Sequence, residues 1–256
     1  MTHVLNDAHI FLCPGASFNH EHHLVRDAII QAVEEVGRTA EYGALQVRRE
    51  APLLTLPCVE PLSEQERVSA LCGRPAHDWP RLTNMDIYIR HIGAEDNAFQ
   101  HNLYDVTITS PPGDWTSTNA SDAVTSSRPL DYFIDEKERR KFFHFKASFK
   151  AANGYDTSFF PLAFDRSGRA GAATTQRLKY IKNLLSDLSG ATSSRHSVGQ
   201  ALTDRISVAL QTGIARHIAA TRQLHRRQLQ LAAIAAGAGQ QAPLQAGGIG
   251  AAGHQA

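Results

Sequence analysis

The sequence predicts an α/β protein: a mixed central sheet flanked by helices, then a helical C-terminal extension and a disordered tail. Three observations predict it. Alternating apolar residues at 85–89 and 103–109, and an apolar run at 158–165, read as strands. Between and after them, apolar residues recur three and four apart, the period of helices. The size also suits one packed core, since 256 residues at 42% hydrophobic and 20% charged accommodate a domain of roughly 150–200 residues plus extensions.

The elements follow in order. Residues 1–21 are irregular and bear histidines. Leu24, Val25, Ala28, Ile29, Ala32, Val33 and Val36 mark an amphipathic helix over about 22–36, with Gly37 as its C-cap candidate. Ala44 to Arg49 alternates weakly, as a first strand would. Pro52, Pro57 and Pro61 keep the next stretch extended or looped, and a short helix fits Leu62 to Leu71. Pro111-Pro112-Gly113 closes the second aspartate strand, because proline cannot continue a ladder. Residues 113–130 are rich in Ser, Thr and Asn and read as a surface loop. A basic helix studded with aromatics is expected over 133–150, a third strand over 158–165, and helices over 174–188 and 198–235. Leu202, Ile206, Leu210 and Ile214 fall at core spacing on the last of these. From residue 236 the chain is mostly Gly, Ala and Gln without Asp, Glu, Lys or Arg, a composition that cannot bury a core.

Composition excludes several classes. The net charge of +1 does not advertise a nucleic-acid binder, so local clusters must carry any such role. Cys13, Cys58 and Cys72 form no CxxC pair, which argues against a disulfide framework or a cysteine-rich zinc module. No run approaches the roughly 18 apolar residues of a membrane span, and the start lacks the features of a secretory signal. A soluble protein of the nucleus or cytoplasm is the expectation, with no membrane partner.

Chemistry concentrates on two aspartates. Period-2 geometry sets Met85, Ile87 and Ile89 on one face of their strand and Asp86 and Tyr88 on the other. It likewise separates Tyr104, Val106 and Ile108 from Asp105, Thr107 and Thr109. Carboxylates on neighbouring strands can hold Mg²⁺ or Mn²⁺, because hard cations prefer oxygen ligands. A lysine from the following basic helix would orient a water or offset phosphoryl charge. That is the kit of a metal-dependent phosphodiesterase; the bland alternative is two aspartates on exposed strand faces. Arg139, Arg140, Lys141, Lys146 and Lys150 form one basic cluster, and Arg216, Arg222, Arg226 and Arg227 another. Each is either a phosphate-facing surface or a solvated helix face. Glu34 and Glu35 are expected on the surface of the first helix.

Four segments together resemble the restriction-like endonuclease domain of site-specific non-LTR retrotransposon polyproteins, a branch of the PD-(D/E)XK nucleases. They are His22-His23-Leu24-Val25-Arg26-Asp27-Ala28-Ile29, Asn84-Met85-Asp86, Tyr104-Asp105-Val106-Thr107-Ile108 and Lys141-Phe142-Phe143-His144-Phe145. Their order covers roughly residues 9–230. The resemblance implies a restriction-endonuclease-like domain over 22–190, with the helical extension at 191–235 and the tail at 236–256. It implies a DNA endonuclease in which Asp86 and Asp105 bind Mg²⁺ or Mn²⁺. Thr107 stands where ordinary superfamily members carry the lysine, which in this branch has moved to the next helix. Lys141 is then the catalytic lysine, with Lys137 and Lys146 as alternatives, and Arg139, Arg140 and Lys146 would contact DNA. Three departures stand out: Met85 replaces a proline, His144-Phe145 replaces lysine-tyrosine, and Glu21 replaces an arginine. The family's zinc knuckle has only Cys13, His20, His22 and His23 as candidates, so histidines without zinc are the expectation. The family joins this domain to a reverse transcriptase in a larger polyprotein. No such region lies within these residues, and a fragment or decayed remnant is expected. A catalytically dead remnant that binds nucleic acid or a protein partner is the alternative function.

Overall fold

The computed structural model describes residues 19–40, 44–71, 82–92, 98–109, 130–165, 168–189 and 195–239. Cys13, Cys72, the Pro111-Pro112-Gly113 closure, the loop at 113–129 and the tail from 240 lie outside the described residues.

Helix α1, Asn19–Thr39, leads into strand β1, Leu45–Pro52, a 3₁₀ turn at Leu53–Thr55, and the short strand β2, Val59–Pro61. Helix α2, Glu64–Ala70, opens on a capping box in which the Ser63 and Glu66 side chains and backbone amides satisfy one another. Strands β3, Asn84–Ile92, and β4, Phe99–Thr109, carry the two aspartates. Helix α3, Leu130–Lys146, precedes strands β5, Phe149–Ala151, and β6, Asp156–Asp165. Helices α4, Ala172–Leu188, and α5, Arg195–Gly239, complete the chain.

The protein is a mixed α/β structure with a four-stranded mixed sheet and, among the described residues, five α-helices. The sheet runs β1-β3-β4-β6. β1, β3 and β4 pair antiparallel, while β6 runs parallel to β4. A parallel pair cannot be closed by a tight turn, and α3 lies in the crossover between these two strands. Pro161 sits on β6, the edge strand, where its missing N–H is tolerated.

Two cores sandwich the sheet. On one face Val25, Ile29, Ile30 and Val33 of α1 pack with Ile87, Ile89, Tyr104, Val106 and Phe164. Ile181 and Leu185 of α4 and Leu202, Ile206 and Leu210 of α5 join them. On the other face Phe145, Phe149 and Phe159 gather with Leu53, Cys58, Tyr88 and Leu103. The Phe145 and Phe159 rings stack at 4.3 Å. Each such fully buried side chain contributes about 1.5–3 kcal/mol.

Several boundaries differ from the sequence expectation. Residues 19–21, expected to be irregular, begin α1, and α1 passes through Gly37 to Thr39. The basic helix stops at Lys146 rather than 150, because Phe149 turns into a strand paired with β2. The small β2–β5 sheet carries no periodicity long enough to announce it. The first half of α5 is core: Leu202 is fully buried against the same cluster as Val25. Residues 236–239, assigned by composition to the tail, continue α5. No helix among the described residues is long and apolar enough to cross a membrane.

Candidate functional site

Asp86 and Asp105 lie on the two central strands. The β3–β4 register ends at the pair Ile87–Tyr104, and Asp86 and Asp105 are the residues next beyond it on the two strands. The two carboxyl groups here are close enough to hydrogen-bond one another through a shared proton.

Each carboxylate is held from a different side. Asp86 Oδ2 accepts from the Val106 backbone amide at 2.7 Å and from His22 Nε2 at 2.9 Å. Asp105 Oδ2 pairs with Lys141 Nζ at 2.8 Å. Lys141 reaches it because Ile134, Glu138, Lys141 and Phe145 share the face of α3 that lies on the sheet, at helical spacing. Ile134, Glu138 and Phe145 are all buried.

Glu138 fixes that helix face. Gly171 offers no side chain to cap α4, so Glu138 accepts from the Thr174 amide at 2.9 Å and from the Thr174 hydroxyl. A Cβ on Gly171 would collide with the Glu138 carboxylate, which is why glycine stands there. Thr174 in turn accepts from the Ala163 amide of β6 at 2.7 Å. The chain of bonds ties α3, α4 and β6 together one turn from Lys141.

The electrostatics follow from crowding. Burial pushes the Asp105 carboxyl up to about 6, Lys141 opposing and the Asp86 charge reinforcing the shift. Burial acts upward on Asp86 too, but the His22 hydrogen bond and charge, aided by Asp105 and the Val106 amide, outweigh it. The Asp86 carboxyl therefore sits below its ordinary value. Two like charges held together away from water call for a cation or a proton between them.

The other lysines do not reach the pair. Lys137 is exposed, and Lys146 Nζ lies 4.6 Å from the Phe142 ring centroid. Arg139 and Arg140 are exposed and pair with Glu136 of their own helix. Lys150 pairs with Glu66 at 2.7 Å and Glu60 at 3.3 Å. Arg222, Arg226 and Arg227 are exposed on α5. Glu34 and Glu35 are exposed as expected, with Glu35 bound to Arg205 at 2.6 Å. Of the zinc candidates, Cys13 and the His20 side chain lie outside the described residues, His23 is exposed, and His22 is committed to Asp86.

Sequence reasoning missed what α1 contributes. Arg26, one turn after His22, is buried and pairs with Asp27 at 2.9 Å and with Glu50 of β1. The β1–β3 pairs Arg49–Ile87 and Ala51–Met85 bracket Glu50 and Asp86. Glu50 takes a φ of 47°, a strained left-handed backbone for a side-chain-bearing residue. A row of carboxylates thus crosses the sheet from Glu50 to Asp86 to Asp105, with Glu50 turned toward Arg26. The i,i+4 spacing of His22 and Arg26 was the available signal.

Among the described residues, no group of three or more His, Cys, Asp or Glu is placed to hold a metal ion. Two carboxylates still suit Mg²⁺, which keeps several waters and takes one or two protein carboxylates. The abutting Asp86 and Asp105 oxygens fit that requirement. No protein-family model matches the sequence, and no curated protein matches it either.

Proposed function

We propose that the protein is a metal-dependent DNA endonuclease with a restriction-endonuclease-like domain, derived from a site-specific non-LTR retrotransposon and acting in the nucleus or cytoplasm. One observation carries the reading: Asp86, Asp105 and Lys141, singled out by their order in the sequence, converge from β3, β4 and α3 on one point. The mixed sheet with helices on both faces supports it.

Asp86 and Asp105 would hold Mg²⁺ or Mn²⁺ through their oxygens. The bound ion would supply Lewis-acid activation of the phosphate and acidify a coordinated water. The chain's own groups do the rest. The Val106 amide and His22 keep Asp86 ionised and fixed in rotamer. Lys141 holds Asp105 and presents an ammonium, a third exposed, where a phosphate oxygen or attacking water would lie.

The test is nicking of supercoiled plasmid with Mg²⁺ or Mn²⁺, wild type beside Asp86→Ala and Asp105→Ala. Metal-dependent nicking lost in both variants supports the reading; nicking unchanged in Asp105→Ala sinks it. A second reading, a dead remnant that binds nucleic acid or a protein partner, draws on the two-carboxylate limit of the site. It expects DNA binding without nicking under any divalent metal.

A further inference from the structure

Beyond the carboxylates, the same sheet face opens into a cleft of about 720 Å³. Tyr88 and Arg90 alternate along this face of β3, and His101 stands opposite Arg90 on β4. At roughly 3.3 Å per residue, Arg90 lies about 13 Å along the strand from Asp86. Between cleft and carboxylates the same face carries Tyr88 and Leu103, buried in the second core, so the cleft is a site of its own.

The lining has a specific chemistry. Arg48 is exposed and its guanidinium lies 5.9 Å from the Tyr88 ring centroid. Arg90 lies 4.1 Å from the centroid of Phe99, itself 41% exposed. Arg90 Nε is buried without a hydrogen-bond partner, so the guanidinium's other nitrogens are the ones a ligand would meet. Tyr155, 42% exposed, meets His101 edge-on at 5.3 Å. The turn that presents it closes with the Tyr155 amide on the Ala152 carbonyl, and Gly154 supplies the φ of 82° that the turn needs.

The floor is polar but neutral. Tyr88 and His101 are buried, with the Tyr88 hydroxyl 2.7 Å from His101 Nδ1. Burial holds the imidazole below its usual range and raises the phenol to about 12, so both groups stay neutral. Asp156 adds one acceptor at the wall. Two guanidiniums, exposed aromatic faces and a lone carboxylate repel a metal cation and give a purely apolar ligand little to bind. They suit a ligand with an anionic group, a flat π face and an amino edge.

We propose that this cleft is a nucleotide subsite: it takes one unpaired deoxynucleoside monophosphate unit, base against Tyr155 and Phe99, phosphate on Arg48 and Arg90. The unit's membership in a DNA substrate rests on the nuclease reading; its binding does not.

The experiment separates the two. Deoxynucleoside 5′-monophosphates, inorganic phosphate and polyglutamate are each titrated into the metal-free full chain in EDTA, followed by backbone amide NMR shifts. Plasmid nicking is measured on the same preparation. Nucleotide is expected to saturate and shift resonances around Arg90 and Tyr155. Tyr155→Ala, an exposed position whose loss leaves the fold intact, weakens it about tenfold. Arg90→Ala weakens it comparably, and Arg90→Lys recovers part of the loss. Nucleotide binding without nicking keeps the subsite and removes the nuclease reading. Nicking with no nucleotide binding, or binding indifferent to Tyr155→Ala, overturns the subsite. Inorganic phosphate binding as tightly as the nucleotide overturns it too, as does polyglutamate binding better than the nucleotide.

Discussion

His22 Nε2 lies 2.9 Å from Asp86 Oδ2, joining the first described helix to a strand 64 residues later. The bond fixes one carboxylate of the candidate metal pair from outside the sheet. Groups that orient a metal-binding carboxylate typically govern metal affinity or activity by 10–100-fold. We expect His22→Ala to weaken Mn²⁺ binding by about that factor, with His22→Gln recovering part of it through its amide donor. Calorimetric Mn²⁺ titration checks this; unchanged affinity in His22→Ala would mean the bond is structural alone.

Metal-dependent activity should rise with pH through about 6. Asp105 is the higher of the two carboxyls, at about 6, and must shed its proton before it can bind a cation. Asp86, held below its ordinary value, is already ionised there. A nicking profile from pH 4.5 to 8 at subsaturating Mg²⁺ reads this directly. A profile flat down to pH 4.5 would contradict the assignment.

The same carboxyl affects stability. Its folded value of about 6 exceeds its ordinary 3.8, so the protonated form favours the folded state. That stability is present in full below about pH 4 and lost as pH rises through 6. The upper bound is about 3 kcal/mol for a shift of about two units. Asp105→Asn is therefore expected to raise Tm by a few degrees at pH 8 without metal, and to leave it nearly unchanged at pH 4. Thermal scans at the two pH values decide it.

Lys141 alone of the three candidate lysines touches the carboxylates. Lys141→Ala should cut nicking by about 10²–10³-fold, the range for removing one transition-state donor. Lys137→Ala and Lys146→Ala should stay within a few-fold of wild type. Equal losses in all three would mark the helix as a general electrostatic surface.

Glu138 secures the helix that carries Lys141. Glu138→Ala strands the buried Thr174 amide and hydroxyl and should cost about 1–3 kcal/mol. Urea unfolding at neutral pH measures it; a loss under 0.5 kcal/mol would show that water replaces the carboxylate.

Much of this was legible locally. The alternation at 85–89 and 103–109 announced two strands, but it breaks at Asp86: Met85 joins the core of Tyr88 rather than that of Ile87 and Ile89, beside the left-handed Glu50 of β1. Helical spacing identified Val25, Ile29, Leu202 and Leu210 as core. Lys141 was separable from Lys137 and Lys146 only as a preference, because a helix reveals which residues share a face but not which face meets the sheet.

By itself, the sequence determined the types of the longer elements, the two strand acids and the lysine-bearing helix, since these depend on periods of two and 3.6 residues within one segment. Tertiary structure decided the rest. The pairing of β3 with β4 brings Asp86 and Asp105 to the end of one ladder, α3 crosses between two parallel strands so that Lys141 lands on Asp105, and α1 delivers His22 and Arg26 to Asp86 and Glu50. The cleft of Arg90, His101 and Tyr155 likewise draws on three separate segments. Such partnerships are distances between segments far apart in the chain, and no local periodicity encodes them; packing of the sheet between its two cores does.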